Sequence, residues 1–288
     1  MLDSVAPPMG DVLEDYIINK ITTIFALVVS AGNGNLILDP ASFHAGIYNG
    51  IMMIVSNAVM PVANVILGLL MVLELYNLTI RTEGNHGTMG IDIPFKVMFK
   101  IVLCKVAIDS TKLILEAIYS ISSQLILNIG DAIIGNSQLT PADVDLIRVS
   151  IEGMDFGVKL MTSVEVTLIY FIVQFVMVII NVIIVGRIIE IYVMMGIAPI
   201  PLATLPNAEI SGVAKNFLKS YAAVCLQGVL IYLVIAMFPL LFANSTMGDI
   251  SDAADFSKSL MTAAGYSFVL LISVFASGRW AKSICNAM

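Results

Sequence analysis

The sequence has little charge and almost none of the residues that build catalytic or metal sites. Asp, Glu, Lys and Arg make up 12% of the 288 residues, about half their usual share in soluble domains. The two histidines, His44 and His86, have no cysteine or acid nearby at metal-ligand spacing. No nucleophile elbow, phosphate loop or dinucleotide fingerprint occurs. We therefore expect no enzyme activity, no cofactor and no metal.

Positive charge and cysteine are scarce too. The formal net charge is −7, which argues against a nucleic-acid surface built on basic patches but does not exclude a conduit through which nucleic acid passes. Cys104, Cys225 and Cys285 all fall in or beside predicted membrane segments. We therefore expect no structural disulfide.

Long uncharged runs are what the sequence does contain. Hydrophobic residues make up 59% of the chain, and no charge occurs from Val166 to Gly186. A run of this length matches ~30 Å of hydrocarbon at ~1.5 Å per helical residue. The fold class predicted is an all-α polytopic membrane protein with about five transmembrane helices and an N-terminal interfacial amphipathic helix. The predicted spans are 51–76, 94–119, 164–198, 217–243 and 259–278.

The segments around these spans carry turn and cap signals. Residues 1–38 form a predicted extracytoplasmic amphipathic segment, and residues 39–288 form the transmembrane domain. Asp39 and Pro40 have the residue types of a helix N-cap and first position. Pro61 predicts a kink in the first span. The loop 130–162 is polar, and Thr140-Pro141 within it predicts a helix start.

The second predicted span has an unusual charge load. Lys105, Asp109, Lys112 and Glu116 follow one another at spacings of four, three and four residues. At ~100° per residue they share one face of a continuous helix, and Lys105 would lie near mid-bilayer. This charged ladder is either the wall of a hydrophilic conduit or a set of intrahelical ion pairs packed against neighbouring helices.

Uncharged polar residues form two further stripes. Their seven-residue spacing puts each set on one helix face, where interhelical hydrogen bonding explains them without transport. The residues are Asn57 and Asn64 on the first span, and Thr167, Gln174 and Asn181 on the third. Glu165, Arg187 and Glu190 flank the third span and are interpreted as anchors or packing pairs.

The basic residues predict the orientation. With five spans and the N-terminus outside, seven basic residues lie inside and four outside, so the positive-inside rule favours N-out, C-in in the cell membrane. The inner set is Arg81, Lys96, Lys100, Lys215, Lys219, Arg279 and Lys282, and the outer set is Lys20, Arg148, Lys159 and Lys258.

The third span ends in a proline corner, residues 199–216. Gly196 to Leu205 reads GIAPIPLATL, and Val213 to Tyr221 reads VAKNFLKSY. This pattern resembles the TrbL-like family, the polytopic channel subunits of type IV secretion and conjugation machines. In particular, it is similar to the short versions carried by Gram-positive conjugative elements. The resemblance covers roughly Val164 to Ala281.

The resemblance implies an oligomeric membrane platform that passes DNA–protein substrate outward. Its expected partners are further copies of the chain, other secretion subunits with cytoplasmic ATPases, the lipid bilayer and, transiently, the substrate. The ATPases would dock at the corner, for which the candidate residues are Pro199, Pro201, Pro206, Lys215 and Lys219. Two alternatives stay open: a small-solute or ion-coupled permease, and a purely structural membrane anchor.

Overall fold

The computed structural model describes residues 9–33, 36, 38–83, 92–134, 141–246 and 253–287, and every regular element in these ranges is helical. This confirms the all-α prediction. In chain order the helices are α1 Met9–Asn33, α2 Pro40–Phe43, α3 Ala45–Ile54, the π-helical turn Val55–Val59, α4 Met60–Glu83, α5 Asp92–Asp109, α6 Thr111–Ile134, α7 Pro141–Glu152, α8 Phe156–Ile197, α9 Pro199–Leu202, α10 Ser211–Thr246 and α11 Ala253–Ile284.

Five of the described helical segments are long and apolar enough to cross a membrane, as the sequence predicts. They are Ala45–Asn77, Thr111–Ala132, Phe156–Ile197, Ser211–Leu241 and Asp255–Ile284. The second segment differs from the predicted span 94–119, because a one-residue turn at Ser110 separates α5 from α6. Because α5 carries several charges, it is not a candidate span, and only the more apolar α6 is one.

Local sequence signals account for several helix boundaries. The Asp39 carboxylate accepts a hydrogen bond of 2.8 Å from the Ser42 amide. Asp39 is therefore the N-cap of α2 and Pro40 is its first residue, as predicted. The π-helical turn ends at Val59, two residues before Pro61. Proline cannot donate to the carbonyl four residues earlier and crowds it, and a wider turn relieves that crowding.

The chain divides into two compact units. The first contains Met1–Ile37, Leu125–Val185 and Val229–Ser277, and the second contains Leu38–Gln124, Gly186–Gly228 and Gly278–Met288. In the first unit, α1 buries one face, with Ile17, Ile21, Ile24 and Val28 at most 1% exposed. Their spacing of three to four residues is the helical period of an amphipathic segment.

The second unit has a core that seats the proline corner. Leu202 and Ala203 pack with Ala63 and Leu67 of α4 and with Ile108 of α5. Small residues at this contact let the helices approach closely. The corner is therefore held by side-chain packing as well as by the proline backbone.

Candidate functional site

The charged ladder is divided between two helices. Lys105 and Asp109 lie on α5, and Lys112 and Glu116 lie on α6, on either side of Ser110. Thr111 marks the break, because its hydroxyl donates to the Ile108 carbonyl at 2.6 Å. Such local bonds compete with the helical backbone and often accompany bends.

Each ladder charge is paired within the chain. Lys105 Nζ lies 2.6 Å from Asp109 Oδ1, and Lys112 Nζ lies 3.8 Å from Glu116 Oε1. The side chains remain about half exposed, from 45% at Lys105 to 57% at Lys112. A pair that is open to its surroundings contributes little stability in water. Facing lipid, the same charges would need cover from protein or a hydrated path.

Neighbouring helices of the second unit extend this charged surface. Lys105 also donates to Asn64 Oδ1 of α4 at 3.0 Å, and Lys100 pairs with Glu74 of α4 at 3.2 Å. The Tyr48 hydroxyl of α3 donates to Glu116. Sequence reasoning missed Glu74 and Tyr48, because only the folded chain brings α3 and α4 against α5 and α6.

The predicted polar stripes divide by environment. Asn64 joins α4 to α5 through Lys105, and Thr167 shares a 2.9 Å hydrogen bond with Tyr16 of α1. Asn181 donates within α8 to the Met177 carbonyl at 3.0 Å. Asn57 Oδ1 lies 3.4 Å from the Ser56 hydroxyl, and the buried Gln174 Oε1 has no hydrogen-bond partner.

The corner residues also fall into two groups. Pro199 and Pro206 are buried and Pro201 is half-buried, whereas Lys215 and Lys219 are exposed. The prolines thus shape the turn, and the lysines present the charge. Asn207, which the sequence did not single out, closes the corner by accepting from the Glu209 amide at 2.9 Å.

A buried arginine lies in α8, about three turns before the corner. Arg187 of α8 is 3% exposed, and its Nη1 donates to the Cys225 carbonyl of α10 at 3.5 Å. Its Nε and Nη2 have no hydrogen-bond partner. The sequence interpretation of Arg187 as an anchor or packing residue rests on its place after the uncharged run, and that place was the one available signal.

The helices and these intramembrane polar groups define a multi-pass helical membrane protein. The chain belongs to the TrbL/VirB6 plasmid conjugal transfer like protein family, which matches it over residues 27–199, more than half of its length. It is therefore a membrane component of a conjugal transfer system, and this is not a known enzyme family.

The matched region differs from the one that the sequence resemblance covers. It overlaps the predicted range 164–281 only in residues 164–199 and ends at the first proline of the corner. The family similarity therefore runs from the last two turns of α1 through α8 and does not cover most of the corner or α10. No curated protein and no solved structure matches the chain.

Proposed function

We propose that the chain is a platform or channel subunit of a type IV secretion machine that helps pass a DNA–protein substrate across the cell membrane. The family membership over residues 27–199 is the observation that carries this proposal. Five apolar helical segments suit a membrane platform. In this proposal the chain forms homo-oligomers, is of the type carried by Gram-positive conjugative elements, and works with cytoplasmic ATPases.

The charged ladder is the proposed conduit surface. Lys105 and Asp109 precede the second candidate span, and Lys112 and Glu116 lie in its first two turns. Alternating signs on a half-exposed surface hold water without attracting one sign of charge strongly. In the N-out, C-in orientation this surface lies at the cytoplasmic mouth, where substrate would enter. Lys215 and Lys219 supply the proposed exposed docking charges for the ATPases.

Deletion of the gene in a conjugating host tests the platform itself. Transfer frequency should fall to background and return when the wild-type chain is supplied in trans. Unimpaired transfer in the deletion strain would exclude a role in conjugation and leave the permease reading.

A paired variant tests the ladder. Lys105→Met with Asp109→Leu removes one charge of each sign, so the net charge is unchanged. If the ladder forms a hydrated surface, transfer should fall at least about tenfold, because charge at a water-filled path is replaced by apolar surface. Membrane levels measured by immunoblot should stay equal to wild type.

The matched control is Lys282→Gln, an exposed residue of the same unit outside both the ladder and the corner, and it should transfer normally. Because both ladder pairs are satisfied within the chain, a purely structural anchor is the competing function. Normal transfer by the ladder variant would favour that anchor and contradict the conduit surface.

A further inference from the structure

Arg187 presents one edge of its guanidinium to α10 and leaves the other without a partner. Nη1 points at the Cys225 carbonyl, and a Cβ built on Gly228 would lie 1.5 Å from this same nitrogen. Gly228 thus provides the space that Nη1 occupies. Nε and Nη2, the two nitrogens without a hydrogen-bond partner, form the opposite edge of the planar group.

The titratable groups close to Arg187 are neutral. The phenols of Tyr119 and Tyr221 and the thiol of Cys225 are close enough to influence Arg187 electrostatically. Arg187 forms no ion pair with any carboxylate in the described part of the chain. Glu116 is close enough to Tyr221 to influence it electrostatically, but the Glu116 carboxylate already pairs with Lys112 and accepts a hydrogen bond from Tyr48.

Tyr221 supplies a second unpartnered donor. It is fully buried, and its hydroxyl lies close to the Cys225 thiol, a weak acceptor, without a partner of full hydrogen-bond geometry. Tyr221, Cys225 and Gly228 follow one another at spacings of four and three residues, so they share the face of α10 that meets Arg187. The Tyr119 hydroxyl donates to the Leu38 carbonyl at 2.7 Å, and its oxygen lies close to the Arg187 guanidinium without the geometry of a full hydrogen bond.

We propose that the Nε–Nη2 edge of Arg187, together with the Tyr221 hydroxyl, binds a small oxyanion of the phosphate or carboxylate class. Two parallel N–H groups on one guanidinium edge match two oxygens of such an anion. A buried cation without a counter-charge is costly, and an oxyanion would neutralise it and accept all three donors. This site is separate from the charged ladder and the corner.

Thermal unfolding of the full chain in a neutral detergent tests the site. Sodium phosphate, and separately sodium acetate, would replace sodium chloride at constant ionic strength. Binding to the folded state should raise the unfolding midpoint by roughly 2–4 °C at ten times the apparent Kd, with saturation. No rise with either anion in the wild-type chain would overturn the proposal.

Three variants make the result specific. Arg187→Gln should abolish the anion-dependent rise, and Tyr221→Phe, which keeps the ring and loses only the hydroxyl, should raise the apparent Kd several-fold. Arg279→Gln removes an exposed guanidinium from the same unit and should behave as wild type. An equal rise in Arg187→Gln would show non-specific salt action and contradict the site.

A lipid arm separates the two sources of phosphate. Mixed micelles of phosphatidylglycerol are compared with phosphatidylcholine micelles in the absence of free phosphate. A rise with phosphatidylglycerol alone, and none with free phosphate or acetate, would replace the small-oxyanion site with a lipid headgroup site.

Discussion

At the scale of single residues, Gly228 leaves less room for a side chain than any other described glycine of the second unit, because Arg187 fills the space. A methyl group at position 228 would lie 1.5 Å from Nη1 and 2.4 Å from Cζ of Arg187. A long side chain usually moves away from such an overlap, but this one is 3% exposed and enclosed by packed helices. The glycine therefore acts through the space that it leaves free, and its backbone needs no unusual conformation.

Gly228→Ala should lower the free energy of unfolding by about 1–3 kcal/mol, because the buried guanidinium is displaced. Thermal unfolding in detergent measures this. Gly212→Ala on the same helix is the matched control, since a Cβ there meets nothing within 4 Å. It should be neutral or slightly stabilising.

The cost of Gly228→Ala should nearly vanish in an Arg187→Ala background, because the clashing atoms are then absent. The difference between the two costs measures the interaction of residues 187 and 228 separately from the other contacts of α10. Equal costs in both backgrounds would mean that the alanine acts through another contact.

At the scale of elements, α1 is fixed along α8 by charge as well as by apolar packing. Glu14 Oε2 lies 3.5 Å from Lys159 Nζ, and both side chains are less than a tenth exposed. Further along both helices, Lys20 Nζ lies 4.1 Å from the ring centroid of Tyr170. From Glu14 to Lys20 along α1, the contacted residue on α8 moves from Lys159 to Tyr170. The start of α8 therefore runs in the same direction as α1.

Glu14→Gln should destabilise the chain by about 3 kcal/mol, because it removes the carboxylate that pairs with the buried Lys159. Glu14→Gln combined with Lys159→Gln should cost much less than either single change. Unfolding midpoints in detergent check both. Asp15→Asn, at an exposed position that also contacts Arg148, should change stability by less than about 0.5 kcal/mol. Additive costs for the two buried changes would show that the pair is not coupled.

At the scale of the whole molecule, the five candidate spans fit either orientation in the membrane, and the charges between the spans favour one of them. The shift of the second span to Thr111–Ala132 places Lys105 on the same side as Arg81, Lys96 and Lys100. In the proposed orientation this adds one more basic residue to the cytoplasmic side, in keeping with the positive-inside rule.

Single cysteines in a chain without Cys104, Cys225 and Cys285 test this orientation. With a membrane-impermeant maleimide on intact cells, Asp155→Cys should react at once. Glu209→Cys and Lys282→Cys, which are equally exposed, should react only after permeabilisation, because N-out, C-in places them inside. The reverse pattern would invert the topology and move the ladder and the corner outside.

The sequence by itself determined the helical membrane class, the number of apolar segments and the cap at Asp39, because these depend on run length, period and local residue types. It also pointed to the transfer family. The tertiary structure decided the partners of Glu74 and Glu14 and the burial of Pro199 and Pro206. It also placed Arg187 against Gly228 and Tyr221. These features depend on which distant helices meet. The sequence of one helix shows which of its faces is apolar, but it does not show which side chain of another helix lies opposite a given residue.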